Sequence, residues 1–183
     1  MADPIDRLTA LREWNYSKGC ITINTNFDDN MMETVYFDLQ RLIDNGNIKE
    51  ITIYIHSNGG QVDALMPIID LMDKCQKPIK TVALGKAYSC GAMLLLSGHK
   101  GKRFAHRHTF IVIHEVAGGT YGKNSQVQLH ADMVKRTNET LKKIVAKRTK
   151  MTEKQISRYF DSALDIWITA EQALTYGIID EIL

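Results

Sequence analysis

Four short runs rich in β-branched residues, CITINT (20–25), ITIYI (51–55), KTVAL (80–84) and TFIVIH (109–114), are separated by stretches with apolar residues at helical spacing. A strand that leaves through a helix and returns as a strand re-enters its sheet in the same direction, because the crossover carries the chain back along the length it has just travelled. The alternation therefore predicts an α/β fold with a parallel-rich sheet and flanking helices. METVYFDLQRLIDNG (32–46) reads as a helix stopped at Gly46, and QVDALMPIIDLMDKC (61–75) as one that Pro67 interrupts or bends. YSCGAMLLLSG (88–98) is a shorter helix, NSQVQLHADMVKRTNETLKKIVAKRTK (124–150) a long one, and MTEKQISRYF (151–160) another. IWITAEQALTYGIIDEIL (166–183) closes as strand, helix and strand, and PIDRLTALREW can lead as a short helix with Pro4 in its first turn.

The 183 residues suffice for one such domain, 1–183, with residues 1–18 as an N-terminal segment. Lys and Arg number 23 against 21 Asp and Glu, so neither nucleic acid nor a membrane surface is expected as a partner. The dense basic runs KGKR (100–103) and KKIVAKRTK (142–150) read as solvated faces. Three cysteines, Cys20, Cys75 and Cys90, lack metal-site spacing and favour a reducing, cytoplasmic setting. The N-terminus has no signal-peptide core, and the longest apolar run, AMLLL, is far too short to span a bilayer.

In open α/β sheets, sites collect where strands end and helices begin. The turn HSNGGQV (56–62) places two glycines there, which permits positive φ and close backbone approach but also serves as a plain tight turn. It matches neither a dinucleotide fingerprint nor a P-loop, so no cofactor is expected. The next such turn holds Ser89 and Cys90. The serine can be an ordinary N-cap or a nucleophile, and a helix N-terminus can also activate the thiol. His114 ends a buried strand before a glycine-rich loop, as a general base or as a structural histidine. His106 and His108 lack a third ligand, so no metal is expected. Asp165 enters the last strand from a loop, where a turn aspartate is the ordinary reading. Ser, His and Asp on separate loops are the material of acyl transfer, but on residue type alone the alternatives stay open.

Five ordered segments together resemble the proteolytic subunit of the ATP-dependent Clp protease. ITIYIHSNGG is similar to that family's strand into S-P-G-G, and GKAYSCGAML to its nucleophile segment G-x-A-x-S-x-G-A. GHKGKRF, IVIHEVAGG and DIWITAEQALTYGIIDEIL resemble its basic turn, its base segment and its closing segment. The resemblance covers the chain from about residue 19 to the end. It implies a ClpP/crotonase-like fold with a protruding handle over about 115–150, including a glycine-rich strand before the long helix. It also implies Ser89 as nucleophile, His114 as base and Asp165 as third member. The backbone N–H groups of Gly60 and Cys90 would form the oxyanion hole, each such donor worth ~3 kcal/mol of barrier. Substrate would lie as an added strand between Gln61 and Val62 on one side and Ala117 and Gly118 on the other.

The assembly it implies is a homo-oligomer of heptameric rings, possibly a tetradecamer, that encloses the sites. An AAA+ unfoldase would feed it with unfolded polypeptides, docking at pockets that include Tyr54 and Phe104. Four positions depart from the family pattern. Asn58 stands for the proline of S-P-G-G, Glu115 and Val116 for Gln-Pro after the histidine, and Leu164 for an arginine used between rings. With a short N-terminus that shows no recognisable axial loop, these traits suit a divergent or phage-type member. A stand-alone Clp-like peptidase that processes a phage capsid or scaffold without an ATPase is the alternative function. An inactive ring subunit is a third.

Overall fold

Residues 4–162 and 165–183 are described by the computed structural model, and they form seven helices and seven strands. In chain order these are α1 (Pro4–Ser17), β1 (Cys20–Ile23), α2 (Asp29–Asp44), β2 (Ile51–Ser57), α3 (Val62–Lys74), β3 (Ile79–Tyr88) and α4 (Cys90–Leu96). There follow β4 (Arg103–Ala105), β5 (Phe110–Ile113), α5 (Asn124–Arg148), α6 (Glu153–Phe160), β6 (Ile166–Thr169), α7 (Ala170–Tyr176) and β7 (Glu181–Ile182). The run β1-β2-β3-β4-β7 is parallel throughout, as the crossover argument requires. The fold is the mixed α/β arrangement expected from the alternation.

Burial alternates along β2. Ile51, Ile53 and Ile55 are fully buried in a core shared with Leu39 and Leu42 of α2 and Leu65 and Ile68 of α3. Each such side chain contributes ~1.5–3 kcal/mol by leaving water. On the opposite face Tyr54 lies in register with Val82 and Phe104 across three strands, and Tyr54 and Phe104 are both half-buried. The two aromatics of the expected docking pocket therefore share one row of one face.

The strand β3 runs well past the predicted KTVAL and forks at Gly85, which has φ +72°. Before the fork it pairs with β4, from Thr81↔Arg103 to Ala83↔Ala105. Beyond it, Lys86 to Tyr88 pair with Phe110 to Val112 of β5. Thr109 fills the fork: its hydroxyl accepts the Gly85 N–H at 3.1 Å and donates to the Ala83 carbonyl at 3.1 Å. The fork brings the end of β5 beside the end of β3, where the Ser89 N–H donates to the Val112 carbonyl at 2.8 Å.

Several expectations need correction. The basic run 100–103 is not wholly solvated, because Arg103 opens the short strand β4 and is only 5% exposed. Its guanidinium is paired with Asp180 at 2.6 Å. Arg148, in the second basic run, likewise binds Asp73 at 2.5 Å and the Ser97 carbonyl at 3.2 Å. The pair β5–β6 is antiparallel, within a sheet that is otherwise parallel as expected. The helix α3 continues through Pro67, and α2 ends at Asp44 with Asn45 as its cap, ahead of Gly46. Residues 114–123 belong to no strand, in contrast to the glycine-rich strand expected there.

The long helix matches its predicted extent and protrudes. Only Leu141 and Val145 are buried, while Val127, Leu129 and Met133 nearer its start are exposed. No helix among the described residues is long and apolar enough to cross a membrane.

Candidate active site

Ser89 joins β3 to α4 with φ 53° and ψ −118°, the sole non-glycine positive φ among the described residues. A side chain held there costs ~1–3 kcal/mol, which the surrounding structure must supply. Its hydroxyl makes no capping bond to α4, although Ser89 occupies the N-cap position. The ordinary N-cap reading therefore does not describe this serine. A sharp strand-to-helix turn whose serine hydroxyl does not cap the helix is the geometry of a nucleophile elbow.

The two glycines of HSNGG are required by close approach. A Cβ on Gly59 (φ +92°) would stand 2.6 Å from Ser89 Cβ and 2.7 Å from the Tyr88 carbonyl oxygen. One on Gly60 (φ +147°) would stand 2.3 Å from the Phe27 carbonyl oxygen. That clasp is a parallel bridge, in which Phe27 N–H donates to the Gly59 carbonyl and Gln61 N–H to the Phe27 carbonyl, each at 2.8 Å. The bridge leaves the Gly60 N–H unused, and the Cys90 N–H, as the first of a helix, has no intrahelical acceptor. Asn58, in place of a proline, accepts from Lys86 Nζ at 2.8 Å.

Cys90 is the poorer nucleophile. It is 2% exposed, its thiol donates to the Gly60 carbonyl at 3.2 Å, and burial pushes its pKa up to about 11. Thiolate is the reactive form, so this thiol is inert at neutral pH. Iodoacetamide is expected to modify the half-buried Cys20 well before Cys90, as read by mass spectrometry of timed digests. Faster labelling at Cys90 would contradict this account.

His114 follows β5 directly and is half-buried. Its Nδ1 lies 2.5 Å from the Glu115 carbonyl oxygen. A carbonyl only accepts, so Nδ1 carries the proton and Nε2 of the neutral ring keeps the lone pair. Asp165 is exposed and precedes β6. The β5–β6 ladder ends at Ile113↔Ile166, so its register continued by one step sets Asp165 opposite His114. Among the described residues, however, no hydrogen bond joins Ser89 to His114 or His114 to Asp165. Leu164 lies outside the described residues.

A cavity of about 460 Å³ collects Ser89, Cys90, His114, Gly60, Gln61, Val62, Ala117 and Gly118 in one lining. Every expected site residue but Asp165 thus faces one space, of a size suited to a peptide side chain or a small ligand. The far wall comes from α5 and α6: His130, Met133, Val134, Thr137, Leu141 and Phe160. Sequence reasoning treated α5 only as a protrusion, yet the spacing 130, 133, 134, 137, 141 is one helical face and was readable as such. Among the described residues, no group of three or more His, Cys, Asp or Glu is placed to share a metal ion.

With this site placed at the carboxyl ends of β3 and β5, comparison with known families gives an assignment. A family model described as Clp protease matches residues 6–183. That match spans nearly the whole chain and includes both strand-to-helix turns, the forked sheet and the protruding helix. Membership implies hydrolysis of peptide bonds, with peptides as substrates. The chain belongs to the Clp protease family.

Proposed function

We propose that this protein is a serine endopeptidase that cleaves unfolded polypeptides inside a ring assembly. The observation that carries the reading is Ser89: a strained backbone whose hydroxyl caps nothing and faces the cavity that His114 also lines. His114 Nε2 takes the Ser89 proton as Oγ attacks the peptide carbonyl. Asp165, the residue just before β6, replaces the Glu115 carbonyl at Nδ1–H once that carbonyl and the imidazole part. The carboxylate then stabilises the imidazolium, and the Gly60 and Cys90 N–H groups receive the oxyanion. The imidazolium returns its proton to the leaving amine, and water releases the acyl group by the same route. Substrate backbone is held between Gln61 and Val62 and the segment of Ala117 and Gly118, so recognition is by main chain and sequence-tolerant.

Family membership supports oligomeric assembly, and heptameric rings, single or stacked as a pair, would give a role to the exposed Val127, Leu129 and Met133 on the protruding helix. The row Tyr54–Val82–Phe104 offers the partly apolar surface on which an AAA+ unfoldase docks. The test is to label the assembled protein with a fluorophosphonate, locate the adduct by mass spectrometry and measure particle mass in the same sample. An adduct on Ser89 in a particle of seven or fourteen subunits is the expected result. A different labelled residue, or no label in an assembled particle, would falsify the assignment.

A further inference from the structure

We propose that Asn138 is the positioning residue of this site, acting through the 115–116 peptide to decide which acceptor holds His114 Nδ1. The inference rests on the reading of His114 as the base and adds a control to it. The peptide joining Glu115 to Val116 is one rigid plane whose carbonyl and N–H point in opposite directions. Its carbonyl accepts from His114 Nδ1 at 2.5 Å. Its N–H donates to Asn138 Oδ1 at 3.0 Å. Asn138 therefore sets the orientation of the very carbonyl that holds the imidazole.

Asn138 is itself fixed. Its Nδ2 donates to the Phe160 carbonyl at 3.3 Å, so the amide oxygen has to face Val116 and the nitrogen α6. Phe160 also lines the catalytic cavity, whereas Asn138 lies on the other side of the 115–118 segment, in a second cavity with Val127, Ala131 and Lys135. The segment is a strap between the two cavities. It is only loosely seated beyond Val116: Gly118 faces His130 Nε2, a buried nitrogen with no hydrogen-bond partner, and Val134. The side-chain bonds that moor the strap among the described residues are thus the two on the 115–116 peptide.

Competition at Nδ1 follows from chemistry. A carboxylate forms the stronger hydrogen bond, roughly twice that of a neutral acceptor, so Asp165 wins the imidazole once the Glu115 carbonyl turns away. While Asn138 holds the Val116 N–H, the carbonyl stays in place and the imidazole rests on it. The arrangement is a resting state with a specific catch.

The experiment measures fluorophosphonate acylation of Ser89 in the full-length protein and in four substitutions at three positions. Asn138→Ala removes the catch on a helix that favours alanine, and acylation is expected to accelerate roughly five-fold, the worth of one neutral hydrogen bond. Asn138→Asp keeps an oxygen for the Val116 N–H but loses the donor to Phe160, and is expected to acylate at or below the wild-type rate. A rate for Asn138→Ala at or below wild type overturns the proposal. Equal acceleration in both Asn138 variants overturns it too, because loosening at Phe160 then explains the gain. Ser89→Ala and His114→Ala report on the underlying reading separately. Labelling that persists in Ser89→Ala defeats that reading itself, whereas abolished labelling there, slowed labelling in His114→Ala and an unmoved Asn138→Ala defeat only the inference about Asn138.

Discussion

Ser89→Ala is expected to lower kcat/KM for a fluorogenic peptide on the order of 10⁴-fold or more, the scale seen when a triad nucleophile is removed. Ser89→Gly is expected to abolish activity to the same degree and, unlike the alanine variant, to raise the melting temperature. The two substitutions separate chemistry from backbone strain. Alanine deletes the hydroxyl but keeps a Cβ at φ 53°, so the strain of ~1–3 kcal/mol remains. Glycine removes both. Its extra unfolded-state entropy, ~0.5–1 kcal/mol, offsets only part of the relief. Neighbouring space does not complicate the comparison, since neither variant adds an atom beside Gly59. Residual peptidase activity in Ser89→Ala within ten-fold of wild type would move the nucleophile elsewhere. A melting temperature for Ser89→Gly below that of Ser89→Ala would show that the turn is not strained.

Asp180→Ala is expected to destabilise the fold by about 3–5 kcal/mol, the cost of leaving a buried charge without its partner. Arg103 is 5% exposed, and its Nε and Nη2 donate to the two Asp180 oxygens at 2.9 and 2.6 Å. Asp180 Oδ2 also accepts the backbone N–H of Gly101 at 2.8 Å and of Arg103 at 3.0 Å. The remaining guanidinium nitrogen, Nη1, donates to the Arg148 carbonyl at 2.7 Å, so the network fastens the end of α5 to the sheet. Loss of Asp180 strands the Arg103 guanidinium and N–H in a place that water reaches poorly.

The same carboxylate predicts an acid dependence. Burial pushes the Asp180 pKa up, but the bonds and charge of Arg103 and the two backbone donors outweigh it and hold it below the usual value. Its contribution is therefore present above the unfolded carboxyl value near ~3.9 and is lost as pH falls through the lower folded value. The gap in melting temperature between wild type and Asp180→Ala should be widest near neutrality and close in acid. Melts run at one fixed protomer concentration test both statements, since subunit association adds to apparent stability. A gap that is flat with pH, or a loss under 1 kcal/mol, would overturn them.

Much of the framework was legible from local pattern. Strand–helix alternation requires parallel crossovers, and the β-branched runs around Ile53 and Ile111 mark buried strands whatever surrounds them. The glycines at 59 and 60 and the order of the matched segments pointed to the right turns. The short β4 was not visible, because three residues in a basic run carry no period and Arg103 looks like surface until Asp180 arrives from 77 positions away. The α5 wall of the cavity was visible as a spacing but not as a wall, since a helical face does not say what it faces.

Residue order by itself determined the class of fold, the strand ends at which chemistry collects and the identities available there, because backbone periodicity is a local property. What only the tertiary structure decided is which of those residues meet. The strained turn at Ser89 shows as a φ angle, the inertness of Cys90 as burial and the tautomer of His114 as a contact with a neighbouring carbonyl, while Ser89 and His114 line one cavity that Asp165 does not. The burial and the shared cavity depend on segments far apart in the chain, whose distances are set by packing of the whole.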